Sequence, residues 1–306
     1  MLEIDEYDVD ESLDAKKRIE AVYFKVPRQA EETVRAEIWN LQWFYDLIHY
    51  HKEYQITFIL ESDGILFIGD SVIPFHKDEL FVIGKNIHHV FRHDKVYYEG
   101  TASHHAKAIS IFFNSDTFED MFKRIPEFFS IEKLIGKAKF GIKLERHQAA
   151  ELKNHIKKVL SVTGMERVLE LLNILYKISL LKNIQVLMSK TPMILEPDDN
   201  QKIDKVFNYL MDNYMGKITL ETVAELVNLS PNAFCRYFKG RTQKTFSRFL
   251  IEVRISKACK VLFEGKNVAE ACYLSGYNNI SNFHRYFKQI TGMTPNEYKK
   301  KIFQRK

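Results

Sequence analysis

The sequence predicts a multidomain α+β chain: an N-terminal β-barrel or jelly roll, a helical connector, and a C-terminal all-α unit of two tandem helix-turn-helix motifs. Three observations predict it. Short β-branched and aromatic runs fill the first 140 residues, helical periodicity replaces them after Gly141, and the last third repeats itself.

The strand-like runs are Gln55 to Leu60, Ile65 to Ile68, Leu80 to Ile83 and Ala108 to Phe113, and residues up to about Lys139 read mainly as strands. Ser62-Asp63-Gly64, Gly69-Asp70 and Gly84-Lys85-Asn86 punctuate them. Strands at roughly ten-residue spacing suit a small sandwich or barrel. Lys143 to Leu160 and Met165 to Leu181 then carry apolar residues three and four apart and read as two helices broken at Thr163-Gly164. Turn residues from Thr191-Pro192 to Pro197-Asp198-Asp199-Asn200 mark a boundary. The expected division is 1–142, 143–197 and 198–306. Beyond the boundary, Ile203, Val206, Phe207, Leu210, Met211 and Tyr214 form a helical stripe.

Of the 306 residues, 45% are apolar and 28% charged, ordinary values for a globular chain. No run approaches the roughly 18 apolar residues of a membrane helix. The acidic start, Met1 to Glu11, does not look like a secretory signal. Cys235, Cys259 and Cys272 form no CxxC pair, which points to a reduced cytoplasmic setting without disulfides or a cysteine zinc site. Charge is uneven. From Asp198 onward 19 Lys/Arg face 10 Asp/Glu, a balance of +9, whereas the preceding 197 residues carry −4. A basic block of this kind suits a partner rich in phosphates.

The repeat is specific. Val223-Ala224-Glu225-Leu226-Val227-Asn228-Leu229-Ser230 recurs as Val268-Ala269-Glu270-Ala271-Cys272-Tyr273-Leu274-Ser275, and Phe234-Cys235-Arg236-Tyr237-Phe238-Lys239 recurs as Phe283-His284-Arg285-Tyr286-Phe287-Lys288. Thr242 and Thr245 match Thr291 and Thr294. Small Ala224 and Ala269 allow close helix crossing. Ser230 with Pro231, and Asn279 in the second copy, can start the following helices. Phe234 and Phe238, like Phe283 and Phe287, face inward. Asn232, Cys235, Arg236 and Lys239 are left outside in copy one, and Ser281, Asn282, His284, Arg285 and Lys288 in copy two. Asn and Arg suit adenine and guanine edges in a major groove. For any one outward residue a solvated polar face is the simpler account. The caps, repeat and charge together favour double-stranded DNA. Cys235 is read as a spacer, because a thiol makes poor hydrogen bonds. Thr245 to Gly265 reads as a joining helix of about 30 Å, close to the roughly 34 Å between successive major grooves on one DNA face.

At these residues the chain resembles the AraC/XylS family of bacterial transcription regulators. The segment from Val268 through Ser275-Gly276-Tyr277 to Phe283-His284-Arg285-Tyr286-Phe287-Lys288 and Thr291-Gly292-Met293-Thr294-Pro295 is similar to that family's signature. The resemblance covers residues 200–302. It implies base contacts from Asn232, Arg236, Ser281, Asn282 and Arg285, promoter DNA as partner, and RNA polymerase as a further partner for an activator. Gln243 and Tyr277 depart from the family's usual Gly and Phe.

The N-terminal part resembles a cupin-like sensor domain through His49-Tyr50-His51-Lys52-Glu53-Tyr54-Gln55, Gly64, Asp78-Glu79-Leu80 and Gly84-Lys85-Asn86-Ile87-His88-His89. This implies a small-molecule effector, with Trp43, Tyr45, His49, His51, Gln55 and His89 as candidate contacts. The helices of 143–181 resemble the family's dimer-forming part, and Leu169, Leu172, Leu175 and Leu180 could form a self-complementary face or pack on their own domain. His49, His51 and His89 would together suit a divalent metal. Gln55, however, stands where metal-binding cupins carry a carboxylate, and Glu53 is out of register, so no metal is assigned. No P-loop, dinucleotide fingerprint or nucleophile elbow is present, so no cofactor or catalytic residue is assigned and an enzyme is not expected. The competing classes are a metal-dependent cupin enzyme with an accessory helical domain and a non-specific architectural DNA binder.

Overall fold

A computed structural model describes residues 32–99, 104–189 and 197–304. Strands β1 (Val34–Leu41), β2 (Tyr54–Glu61), β3 (Gly64–Ile68), β4 (Ser71–Phe75), β5 (Leu80–Ile83) and β6 (His89–Arg92) precede a short α1 (Lys95–Tyr98). Then come β7 (Ala106–Phe113), α2 (Ser115–Arg124), α3 (Phe129–Ala138), β8 (Ile142–Leu144), α4 (Arg146–Ala150), α5 (Lys153–Ser161), α6 (Gly164–Leu180) and β9 (Gln185–Val186).

Two antiparallel sheets form. One runs β1-β7-β2-β5-β8-β9 and the other β4-β3-β6. They lie face to face and do not close into the expected barrel. Alternation along β2 explains the layering. Tyr54, Ile56 and Phe58 face α2, α3, α5 and α6 in one core, while Ile59 joins Leu66, Ile68, Phe81 and Phe91 in the inter-sheet core. The polar Gln55 and Thr57 share that inner face, which leaves a polar patch between the sheets.

Four expectations need correction. Residues 115–138 are helical, because Asn114 caps α2 (its side chain accepts from Thr117 N) and Phe118 and Phe122 recur one turn apart on the core. The expected single helix from Lys143 to Leu160 is instead β8, α4 and α5. Since β8 and β9 both pair into the large sheet, the 142/143 division cuts through a strand. Pro197 to Asn200 begin helix α7 (Pro197–Asn213) rather than a turn, and Thr191-Pro192 lie outside the described residues. Finally, the leucine set on α6 divides. Leu175 is buried in its own domain, Leu172 is half-buried, and Leu169 and Leu180 are exposed.

The rest of the chain is helical: α7, α8 (Leu220–Leu226), α9 (Pro231–Thr242), α10 (Phe246–Phe263), α11 (Val268–Leu274), α12 (Ile280–Thr291) and α13 (Pro295–Gln304). α10 runs through both units. Its first half packs with α7, α8 and α9, and its second half with α11 and α12. The outer face of the small sheet continues the first helical core, where Phe67 stacks on Phe207 at 4.6 Å and Phe207 on Phe249 at 4.8 Å. Sheet and helices therefore share a core. No helix among the described residues is long and apolar enough to cross a membrane.

Candidate functional site

The repeated residues have repeated structural duties. Ser230 Oγ accepts the Ala233 N–H at the start of α9, and Asn279 Oδ1 accepts that of Asn282 at 2.9 Å at the start of α12. Thr242 and Thr291 each donate to the carbonyl four residues back at 2.8 Å and accept the N–H two residues on. Thr245 and Thr294 cap the next helices. The turns differ in one respect. Gly292 ends α12 with φ 74°, whereas Gln243 ends α9 with φ 56°, a left-handed conformation that a side chain disfavours. Gly276, at φ 84°, is required for a second reason: a Cβ there would come within 2.7 Å of the Tyr214 carbonyl oxygen.

Phe234, Phe238, Phe283 and Phe287 are fully buried, which holds each helix by one face. The opposite faces are open. Asn232, Cys235, Arg236 and Lys239 are exposed on α9, and Ser281, Asn282, Arg285 and Lys288 on α12; His284 is half-buried. Arg285 donates to Asn282 Oδ1 at 3.3 Å and lies 4.7 Å from the Tyr286 ring, so the guanidinium is partly oriented already. The two faces present hydrogen-bond donors and positive charge without neighbouring carboxylates in the same helices.

The inter-sheet patch gathers four of the six residues named for the effector. His49 and His89 exchange backbone hydrogen bonds at 3.1 and 2.9 Å, which joins the His49 segment to β6. Gln55 Oε1 lies 2.9 Å from His51 Nε2 and 3.0 Å from His89 Nε2, and Gln55 Nε2 donates to Thr57 Oγ1. Burial pushes the His49 imidazole down to about 3, with His51 adding to the shift. It also lowers His51 and holds His89 well below the usual range. Tyr45 stands at the rim, edge-on to His49 at 5.1 Å. Trp43 is not brought in; it packs against Tyr98 instead.

Sequence reading passes over the residues that join the two halves. Asp204, on α7, accepts from Arg92 at the end of β6 at 2.9 Å, and Arg92 also donates to Asn208. Burial pushes Asp204 up to about 6 against the pull of Arg92. On α10, Lys257 pairs with Asp94, and Lys260 pairs with Asp94 and, at 2.9 Å, with Asp63. Burial alone would raise the Asp94 carboxyl, but the two lysines together hold it below its ordinary range. His76 stacks on Phe263, with centroids 4.1 Å apart. The available signal was a charged residue on an apolar face: Asp204 adjoins Ile203 and Phe207, and Lys257 follows Val253 by one turn.

A family model described as a helix-turn-helix domain matches residues 223–301. The chain is similar to the HTH-type transcriptional regulator YdeC of Bacillus subtilis, 28% identical over 265 residues, covering 83% of this chain and 86% of that one. A regulator encoded in the cgkA 5' region of Pseudoalteromonas carrageenovora is 37% identical over 102 residues, covering 33% of this chain and 61% of the relative. The melibiose operon regulatory protein of Escherichia coli is 26% identical over 105 residues, 34% of this chain and 35% of its own length. Among solved structures, the C-terminal domain of AraT, a response regulator from Geobacillus stearothermophilus, matches with 27% identity and a TM-score of 0.31, over 33% of this chain and 84% of that one.

Proposed function

We propose, from the premise that the last third of this chain is an AraC-type helix-turn-helix domain and the chain a DNA-binding transcriptional regulator, that α8–α9 and α11–α12 are tandem units of one reader spanning 198–306. α9 and α12 enter successive major grooves. Asn232, Arg236, Ser281, Asn282 and Arg285 read bases, Lys239 and Lys288 contact phosphates, and Cys235 and His284 line the same surface. The observation that carries this reading is the identical burial of the Phe pairs, which leaves two polar, basic faces on helices anchored to one continuous α10.

The N-terminal sheets form the effector domain, with His49, His51, Gln55 and His89 inside it and Tyr45 at its edge. A second copy of the chain docks along α6, where Met165, Leu169, Tyr176 and Leu180 are exposed at 70%, 49%, 51% and 58% around half-buried Leu172. Their four- and three-residue spacing gives one apolar seam of the kind two helices share. RNA polymerase is a further partner if the protein activates.

Selection of bound duplexes from random oligonucleotides tests the reading. Enrichment of one motif with two elements about one helical turn apart is expected. Binding without enrichment would instead make the chain an architectural DNA binder.

A further inference from the structure

The two helix-turn-helix units leave a cavity of about 330 Å³ between them, beside the first half of α10. Ile218 from the loop before α8, Leu250 and Ile251 from α10, and Tyr286 from α12 make its walls largely apolar. Arg254 and Tyr277 also line it. Small-molecule sites run from about 300 to 1,000 Å³ and combine apolar walls with a few polar anchors. The approach of Gly276 to the Tyr214 carbonyl seats the α11–α12 turn against the α7–α8 loop, so the cavity is built into the joint between the units.

Both anchors carry unused hydrogen-bonding capacity. Arg254 Nε donates to the Tyr214 carbonyl oxygen and Nη2 to that of Gly216, each at 2.8 Å, while Nη1 makes no hydrogen bond among the described residues. The carbonyls fix the guanidinium without neutralising it, and no carboxylate among the described residues pairs with it. Tyr277 is 6% exposed, and its hydroxyl is buried without a hydrogen-bond partner. Such a hydroxyl costs the folded state free energy. The Phe usual in the family would avoid that cost, so packing does not account for the oxygen. The guanidinium carbon lies 5.8 Å from the Tyr277 ring centroid. Burial raises the Tyr277 hydroxyl, which stays a neutral donor beside a cation.

We infer that this cavity binds a small aromatic carboxylate, its anionic head at Arg254 and Tyr277 and its ring among Ile218, Leu250, Ile251 and Tyr286. The head group follows from charge. An unpaired guanidinium beside a neutral donor selects an anion, and the planar fork of Arg suits a carboxylate. An acceptor reaching the Tyr277 hydroxyl also removes the cost of its missing partner. The body follows from the walls: a DNA phosphate, the other anion that meets this half, has no apolar part to bury against them. Asn282, assigned above to base contact, lines the same cavity. An occupied cavity therefore weakens DNA binding, and DNA weakens binding of the acid by the same factor. That consequence rests on the regulator reading, whereas carboxylate binding does not.

Isoleucine-methyl NMR of the full chain, titrated with benzoate, cinnamate and 4-phenylbenzoate, tests the site. Saturable shifts of the Ile218 and Ile251 methyls are expected for at least one acid, with a Kd on the order of 0.1–1 mM. Its neutral carboxamide should bind about tenfold more weakly or worse. Arg254→Met should abolish binding, but it also removes two carbonyl contacts, so Tyr277→Phe supplies the conservative arm. That variant should melt no lower than the parent and bind the acid about tenfold more weakly. No saturable shift with any acid, shifts confined to inter-sheet methyls such as Ile59 and Ile68, equal binding of the carboxamide, or undiminished binding by Tyr277→Phe each overturns the proposal. So does weaker DNA binding by Tyr277→Phe with methyls unmoved by the acids, which would make the cavity a seat for a DNA phosphate. Duplex affinity with and without the acid is read separately. Unchanged affinity removes the regulatory consequence, and absence of DNA binding in both states sinks the regulator reading while leaving the methyl shifts to stand.

Discussion

Asp204 accepts the backbone N–H of Ile48 at 3.2 Å, so the first helix of the DNA-binding half is hydrogen-bonded to the segment that carries His49 and His51. The same oxygen accepts from Arg92, whose side chain is 5% exposed. Asp204→Ala removes both contacts and leaves a buried guanidinium facing Asn208 alone. Loss of one partner of a buried pair costs about 3–5 kcal/mol. Denaturant unfolding should show that loss, while Asp204→Asn, which still accepts from Ile48, should lose less. Equal losses in the two variants would mean that the Ile48 contact contributes nothing.

Arg285 and Lys288 lie on one exposed face and should behave differently. Arg285→Ala is expected to cost about 1–3 kcal/mol on the selected site and little on random duplex, because a bidentate base contact discriminates and a phosphate contact does not. Lys288→Ala, like Lys239→Ala, should weaken all duplexes alike and lower the salt dependence by about one unit of slope. Binding isotherms across a salt series check both. A uniform loss for Arg285→Ala would move it to the phosphate-contact class.

The helical third was legible because its signals are local and repeated. Ser230, Pro231 and the Phe234/Phe238 pair mark α9, and the second copy marks α12 again, so each helix is read twice. β2, β3, β5 and β7 were legible from their apolar runs. β8 and β9, of three and two residues, exist through pairing with β5 and with each other, and no periodicity can show within so few positions. β1 alternates apolar and polar residues from Val34 to Ile38 and could have been read. Three of the four residues gathered between the sheets, His49, His51 and Gln55, sit within seven positions, while His89 joins them only through the bridge to His49, which sequence spacing does not encode. Trp43 is close to these residues in sequence but faces Tyr98 in space. Asp204 and Arg92 lie 112 positions apart, and their meeting depends on how sheet and helices dock.

Gln243 and Gly292 occupy the same place in the two copies, at φ 56° and 74°. Gln243→Gly relieves a left-handed strain of about 1–2 kcal/mol while adding chain entropy to the unfolded state, for a net stabilisation of about 0.5–1 kcal/mol. Gly292→Gln should destabilise by about 1 kcal/mol. Paired thermal melts check the opposite signs. The same sign for both would mean that neighbouring contacts, rather than backbone conformation, decide these positions.

Leu169→Glu places a charge in the middle of the α6 seam, where the residue touches no core of its own. If two copies meet there, the variant should sediment as a monomer at concentrations where the parent is a dimer, with unfolding stability within about 0.5 kcal/mol of the parent, as for a surface change. Leu175→Glu, buried in the same helix, should instead unfold the domain. A Leu169→Glu chain that remains dimeric would place the second copy elsewhere.

His76 and His93 set the response to acid at the other joint. Burial lowers both, His76 well below 6.5 with help from Lys143, Arg146 and Lys260, and His93 to about 3. A lowered histidine means that the unfolded chain takes up its proton first. Stability is thus complete above about pH 6.5 and falls as pH drops below it, by up to about 1.4 kcal/mol per pH unit for each ring. Asp204, raised to about 6, acts oppositely: its folded form gains stability as pH falls from about 6 toward 4, which offsets part of the loss. His76→Phe keeps an aromatic ring against Phe263 and removes one titration. Unfolding measured from pH 7 to 5 should therefore be shallower in His76→Phe than in the parent. An unchanged slope would show that His76 takes up its proton alike in the folded and unfolded chains, and that the acid sensitivity belongs to other rings.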